Sequence, residues 1–170
     1  MTQPPERDGP QVLGVDVGGT AIKMGRFTPA GDCQQQITIE TPQPALPETV
    51  VAKVAEAIPT VDPARQAIAI GAGTPGPADA HGRIARIAIN LEGWVDVPFA
   101  DLLESAAQLP TVIENDANCA ALGEAWKGAG QAFPNFILLT LGTGVGGAII
   151  LDGDLYVGRR GAAGELGLIT

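Results

Sequence analysis

Val15-Asp16-Val17-Gly18-Gly19-Thr20-Ala21-Ile22 is an apolar strand, a Gly-Gly-Thr turn and a returning apolar strand. It recurs as Leu139-Thr140-Leu141-Gly142-Thr143-Gly144-Val145-Gly146. Apolar runs joined by glycines signal a β-hairpin. The repeat has two readings: two ordinary hairpins, or two related domains that each present a glycine hairpin to a shared cleft.

Outward from the first hairpin, Gln11 to Val17 and Ala21 to Phe27 are its strands, and Cys33 to Glu40 alternates as a third. Val50, Val51, Val54, Ala55 and Ile58 recur at helical spacing, so Glu48 to Ile58 is a helix that Pro59 should stop. Ala67 to Gly71 is a buried strand that runs into the loop Ala72 to Pro77, followed by extended Arg83 to Ile87. Pro98 opens a short helix through Ala107. Thr111 to Glu114 is a strand, Asn115-Asp116 a cap, and Ala117 to Lys127 a helix. Phe136 to Leu141, Gly144 to Leu151 and Leu155 to Val157 complete an α/β pattern.

A chain of 170 residues allows one domain or at most two small ones, and 45% hydrophobic content suffices for a core. The net charge of −9 argues against a nucleic-acid surface. Between Ile87 and Gly158 the only base is Lys127, against nine acids. A phosphate bound there needs a cation or backbone N–H donors. Two cysteines and one histidine make neither a disulfide framework nor a structural zinc site. Met1 to Pro10 is polar and Pro-rich, which reads as a flexible tail rather than a signal peptide. No apolar run reaches the ~18 residues that span a bilayer, so the expectation is a cytoplasmic protein with no membrane partner. The chain stops inside the apolar stretch Leu166 to Thr170, and we expect a fragment.

Asp16 interrupts an apolar strand, which is costly unless it faces a ligand or a polar cleft. There it can hold Mg²⁺ through the ion's waters. Gly18 and Gly19 let backbone N–H groups approach phosphate oxygens, Thr20 adds a hydroxyl, and Lys23 follows three residues later. The alternative is a plain Gly-Gly turn with an edge aspartate. Gly142-Thr143-Gly144-Val145-Gly146-Gly147 satisfies G-x-G-x-x-G, yet a strand and the turn Asp152-Gly153 follow it, not a helix. A dinucleotide-binding fold is therefore rejected, and a second phosphate-holding hairpin is what remains.

Glu114-Asn115-Asp116-Ala117-Asn118 sits at a strand-to-helix junction, where Asn115 or Asp116 can simply cap the helix. Functionally, Asp116 can accept a hydroxyl proton as the oxygen attacks phosphorus, and the helix N-terminus would help keep it ionised. Asn115 offers an amide to sugar hydroxyls. Glu165 is a further acid in a glycine-rich turn, and Asn90 an amide near Trp94; solvated loop and ordinary turn are the alternatives.

Together, Asp16 to Lys23, Gly73 to Gly76, Asn115 to Asn118, Leu141 to Gly147 and Gly161 to Gly167 resemble the ROK family (repressors, open reading frames and sugar kinases), and within it the bacterial glucokinases. The resemblance implies a ribonuclease-H-like fold of the actin/hexokinase/Hsp70 superfamily, with two domains around a cleft. It divides the chain into a small domain over 11–114 and the beginning of a large domain over 115–170. It implies that Asp116 is the catalytic base on the 6-hydroxyl of a hexose and that Asn90, Asn115, Asp116 and Glu165 bind the sugar. Gly18, Gly19, Thr20, Lys23, Gly142, Thr143 and Gly144 would hold ATP phosphates, and Asp16 would orient Mg²⁺. Self-association is also implied.

Leu168 stands where the family's G-E-x-G-H motif has histidine, and no zinc site is expected within this chain. Three activities follow as expectations: ATP-dependent glucose phosphorylation, the same transfer from polyphosphate or to another hexose, and sugar sensing without turnover.

Overall fold

The computed structural model describes residues 9–88, 90–141, 144–159 and 161–168. The expected tail falls largely on residues 1–8, outside this range.

Gln11–Val17 (β1), Ala21–Phe27 (β2) and Cys33–Glu40 (β3) form an antiparallel meander. Pro47–Val61 (α1), Ala67–Thr74 (β4), Ala85–Ile87 (β5), Val95–Val97 (β6) and Phe99–Ala107 (α2) follow. Then come Thr111–Asn115 (β7), Asp116–Lys127 (α3), Phe136–Leu141 (β8), Val145–Leu151 (β9) and Asp154–Leu155 (β10). The main sheet has the order β3-β2-β1-β4-β7, with β1, β4 and β7 parallel. It is mixed and flanked by helices, an α/β architecture of the actin/hexokinase kind. A small sheet, β10-β9-β8, stands apart from it.

Alternation in β1 sends Leu13, Val15 and Val17 into a core with Ile22 and Met24 of β2, Val50 and Val54 of α1, and Phe99 and Leu103 of α2. Trp94 joins that core at 1% exposure, its ring 4.7 Å from Phe99, with Nε1 donating to Ala45 O at 2.8 Å. Each such large side chain contributes about 1.5–3 kcal/mol by leaving water. The opposite sheet face carries Val12, Gly14 and Asp16, and α3 lies over it. On its far side α3 packs through Ala121 against Ala148 and Ile150 of β9. Ile137, Leu139 and Leu141 on the other face of β8 are exposed.

Two boundaries differ from expectation. α1 continues through Pro59 to Val61. Proline lacks only its own N–H, Pro59 is solvent-facing, and burying Val61 completely rewards the extra turn. β4 extends over Ala72, Gly73 and Thr74 because β1 and β7 hold it from both sides, pairing Gly73 with Asp16 and Glu114. Both glycine hairpins appear as antiparallel pairs, β1–β2 and β8–β9, and a strand follows the second, as required for rejecting the dinucleotide fold.

Candidate functional site

Asp16 lies opposite Lys23 on β2 and Gly73 on β4; Lys23 lies opposite Thr38, and Gly73 opposite Glu114. A polar row, Glu114–Gly73–Asp16–Lys23–Thr38, thus crosses the sheet. The next row on this face is Val112–Gly71–Gly14–Gly25–Gln36, with three adjoining glycines at its centre. The Phe27 ring rests on Gly14, where an added Cβ would meet it at 3.1 Å, while Gly71 has open space above it.

α3 comes close at Gly73, where a Cβ would lie 3.7 Å from Cys119 Sγ and 3.8 Å from Asp116 Cα. Between the glycine row and α3 is a cavity of about 610 Å³ whose wall includes Asp16, Lys23, Thr38, Asp116, Cys119 and Thr140. Two carboxylates, one at the end of β1 and one at the first residue of α3, therefore share a cavity.

Their electrostatics differ. Asp16 pairs with Lys23 at 3.7 Å, with both side chains more than half exposed, a contact that orients more than it stabilises. Although Asp116 keeps part of its surface in solvent, its carboxyl is raised above the ordinary aspartate value, first by partial desolvation and further by the charge of Asp16. The N–H of Ala117, 2.8 Å from Asp116 Oδ1, opposes this without overcoming it. The helix N-terminus thus favours the ionised form, as expected, while desolvation acts the other way and sets the net direction. Burial, and then the carboxylates of Glu114, Asp116 and Asp16, push the Cys119 thiol up to about 11.

Asn115 is the N-cap of α3. Its Oδ1 accepts from Asn118 N at 3.1 Å and its Nδ2 donates to Gly76 O at 3.2 Å. One donor hydrogen and one lone pair of the amide stay free of these bonds. The capping reading is realised, and the same bond fixes the loop after β4. Gly76 has φ +91°, and a Cβ there would overlap Ile87 O. That loop leads towards Asn90, which touches the first hairpin: a Cβ on Gly19 would lie 3.4 Å from Asn90 O. Glu165 occupies a turn closed by its N–H to Ala162 O at 3.3 Å, and Gly161 and Gly164 seat that turn against Ala78 and β9.

The cavity therefore brings together Asp16, Lys23 and Asp116. Gly18, Gly19, Thr20, Asn90, Asn115, Glu165 and Gly144 are not part of its wall. Gly142 and Thr143 lie outside the described residues. Sequence reasoning missed Thr38, Gln36 and Cys119 as cavity residues; the outward alternation of β3 was the signal available for the first two.

Mg²⁺ fits this donor set. Hard oxygens of Asp16 and Asp116 face one space with one nearby lysine, so a dication would offset the repulsion between the two carboxylates that adds to desolvation in raising Asp116. Among the described residues no group of three or more His, Cys, Asp or Glu is suited to a metal. An ion here would keep several waters, as Mg²⁺ prefers. No helix among the described residues is long and apolar enough to cross a membrane.

The ROK family profile matches residues 12–170, and the chain belongs to that family. It is 42% identical over 163 residues to a glucokinase of Halalkalibacterium halodurans, covering 93% of this chain and 49% of that protein. It superposes on a ROK glucokinase of Streptomyces griseus, solved with glucose and AMPPNP, with TM-score 0.87 and 37% identity, covering 94% of this chain and 50% of that one. An inorganic polyphosphate/ATP-glucomannokinase of Arthrobacter gives TM-score 0.80 at 32% identity, covering 94% and 63%. The chain spans about half the length of the curated relatives it matches.

Proposed function

We propose that this ROK family chain carries the phosphoryl-transfer half of a sugar kinase that moves the γ-phosphoryl group of ATP to the 6-hydroxyl of glucose or a similar hexose. The observation that carries the reading is the pair Asp16 and Asp116, facing one cavity from different layers of the fold. Asp116 takes the proton of the 6-hydroxyl as that oxygen bonds to the γ-phosphorus. The bridging P–O bond breaks, its electron pair stays on the ADP oxygen, and the proton rests on the Asp116 carboxyl. A raised carboxyl is a better proton acceptor than an ordinary one, at the cost of a smaller ionised fraction at low pH.

Asp16 would hold Mg²⁺, which would supply charge neutralisation at the phosphates. Gly18, Gly19 and Thr20, with the second hairpin at 142–144, hold the phosphates, and Lys23 adds the nearest positive charge. Asn90, Asn115 and Glu165 take the sugar hydroxyls. Residues 11–114 form the small domain, with the large domain beginning at 115. Support comes from the glucokinase relatives and from the solved S. griseus complex with glucose and AMPPNP.

The test is a coupled assay of the full-length protein with MgATP and a panel of hexoses, with polyphosphate as a separate donor and Asp116→Ala as control. Turnover that Asp116→Ala abolishes supports the reading. Saturable sugar binding without turnover overturns it in favour of a sensor.

A further inference from the structure

The connection between β3 and α1 runs beside the first glycine hairpin and seizes its carbonyls one after another. Thr41 Oγ1 donates to Gly18 O at 2.6 Å, Gln43 Nε2 donates to Gly19 O at 3.2 Å, and Thr41 N donates to Thr20 O at 3.0 Å. Thr41 is 5% exposed, so its hydroxyl bond is shielded from water. In a trans peptide the C=O and N–H point in opposite directions. Holding Gly18 O from one side therefore turns the N–H of Gly19 to the other side, and holding Gly19 O does the same for the N–H of Thr20. Among the described residues neither N–H donates to a protein acceptor, whereas Gly18 N is spent on Ala21 O at 3.0 Å. Two consecutive free N–H groups turned the same way form the kind of concavity that takes an anion.

The far end of the strap is also anchored. Ala45 O accepts from the Trp94 indole at 2.8 Å, and Trp94 belongs to the same loop as Asn90, which touches Gly19. The strap thus joins the loop assigned to sugar with the turn assigned to phosphate.

Resting on the phosphate-holding role proposed for that turn, we propose that Thr41 and Gln43 are positioning residues: they aim the N–H groups of Gly19 and Thr20 at a phosphate oxygen. In sequence the connection, Thr41-Pro42-Gln43-Pro44, reads as a Pro-rich linker that resembles the corresponding stretch of polyphosphate glucokinases. Its function lies in which carbonyls it holds.

The experiment has two arms in the full-length protein. In the kinetic arm, Thr41→Val removes the hydroxyl bond and keeps side-chain shape and backbone N–H. We expect the KM for MgATP to rise about tenfold with the KM for sugar within about twofold, and Thr41→Ser to recover most of the loss, since one charge-assisted contact is worth about that much. Equal changes in both KM values, or none, overturn the proposal.

In the binding arm, the amide resonances of Gly19 and Thr20 are followed by NMR as inorganic tripolyphosphate is added. Both should shift in the wild type and shift less in Thr41→Val. Gln43→Leu, at an exposed position, repeats the comparison if Thr41→Val does not fold. Amides that stay still overturn the proposal. This arm needs no turnover, so failure of the kinase reading in the hexose panel and failure of the strap are separate results.

Discussion

Asp16 and Asp116 belong to different layers, a strand and a helix, yet the charge of Asp16 reaches Asp116 across their cavity and raises its carboxyl. Coupling of this sign is what a base next to a metal-orienting acid experiences when the cation is absent. It makes the pair testable by titration. In Asp16→Asn the Asp116 carboxyl, followed by carbon-detected NMR, should titrate at lower pH than in the wild type. An unchanged midpoint would mean that desolvation alone sets it.

Asp116→Asn should lower kcat by about 10²–10⁴-fold, the usual worth of a positioned general base, with KM for nucleotide and sugar changed only a few-fold. The check is steady-state kinetics of the full-length protein. A kcat within tenfold of wild type would remove Asp116 from the chemistry.

The same substitution has a stability consequence of opposite sign. A carboxyl whose folded pKa lies above its unfolded value binds its proton more tightly in the native state. Its stabilising contribution is present at acid pH and lost as pH rises through the folded value. At neutral pH the ionised Asp116 is therefore a burden, and Asp116→Asn should melt at a slightly higher temperature than wild type. Near pH 3, where both forms are uncharged, the gain should vanish. Calorimetry at the two pH values decides it.

Cys119, held near pKa 11, presents roughly one thiolate per thousand molecules at pH 8. Both cysteines are exposed, yet iodoacetamide should modify Cys33 first, with Cys119 reacting only as the pH approaches 11. Mass spectrometry of digests at pH 8 and pH 10 gives the ratio. Fast alkylation of Cys119 at pH 8 would show that the carboxylates around it do not act as described.

Gly76→Ala should cost more than about 2 kcal/mol, because φ +91° is strained for alanine and the new methyl would overlap Ile87 O. Since Gly76 O also receives the Asn115 amide, sugar affinity should weaken along with stability. Denaturant melts and calorimetric sugar titration check both.

The first hairpin was legible because its glycines and its alternation state the same thing. The end of α1 was not, since proline at 59 reads as a stop until the complete burial of Val61 is known. Gly71, Ala72 and Gly73 look like a loop in isolation; strand pairing on both edges overrides their low β propensity. Asp16 stood out as an acid inside an apolar strand, and Asp116 as one at a strand-to-helix junction where capping was an equally good account. Gln36 and Thr38 could not, because polar residues on alternate positions of a strand look like a solvated face. Only α3 lying across that face makes it a cavity wall.

In the row Gly25–Gly14–Gly71 the Phe27 ring covers the first two, and Gly71 presents bare main chain to the cavity. A surface without χ angles has no rotamers to freeze when a ligand settles on it, so contact there loses none of the roughly 0.5–2 kcal/mol of side-chain entropy that an ordered residue would forfeit. Its contour is set by the pleat of the sheet and holds its shape for as long as the ladder does. Above Gly71, where nothing stands within 4 Å, the fold offers a seat that is rigid before anything arrives.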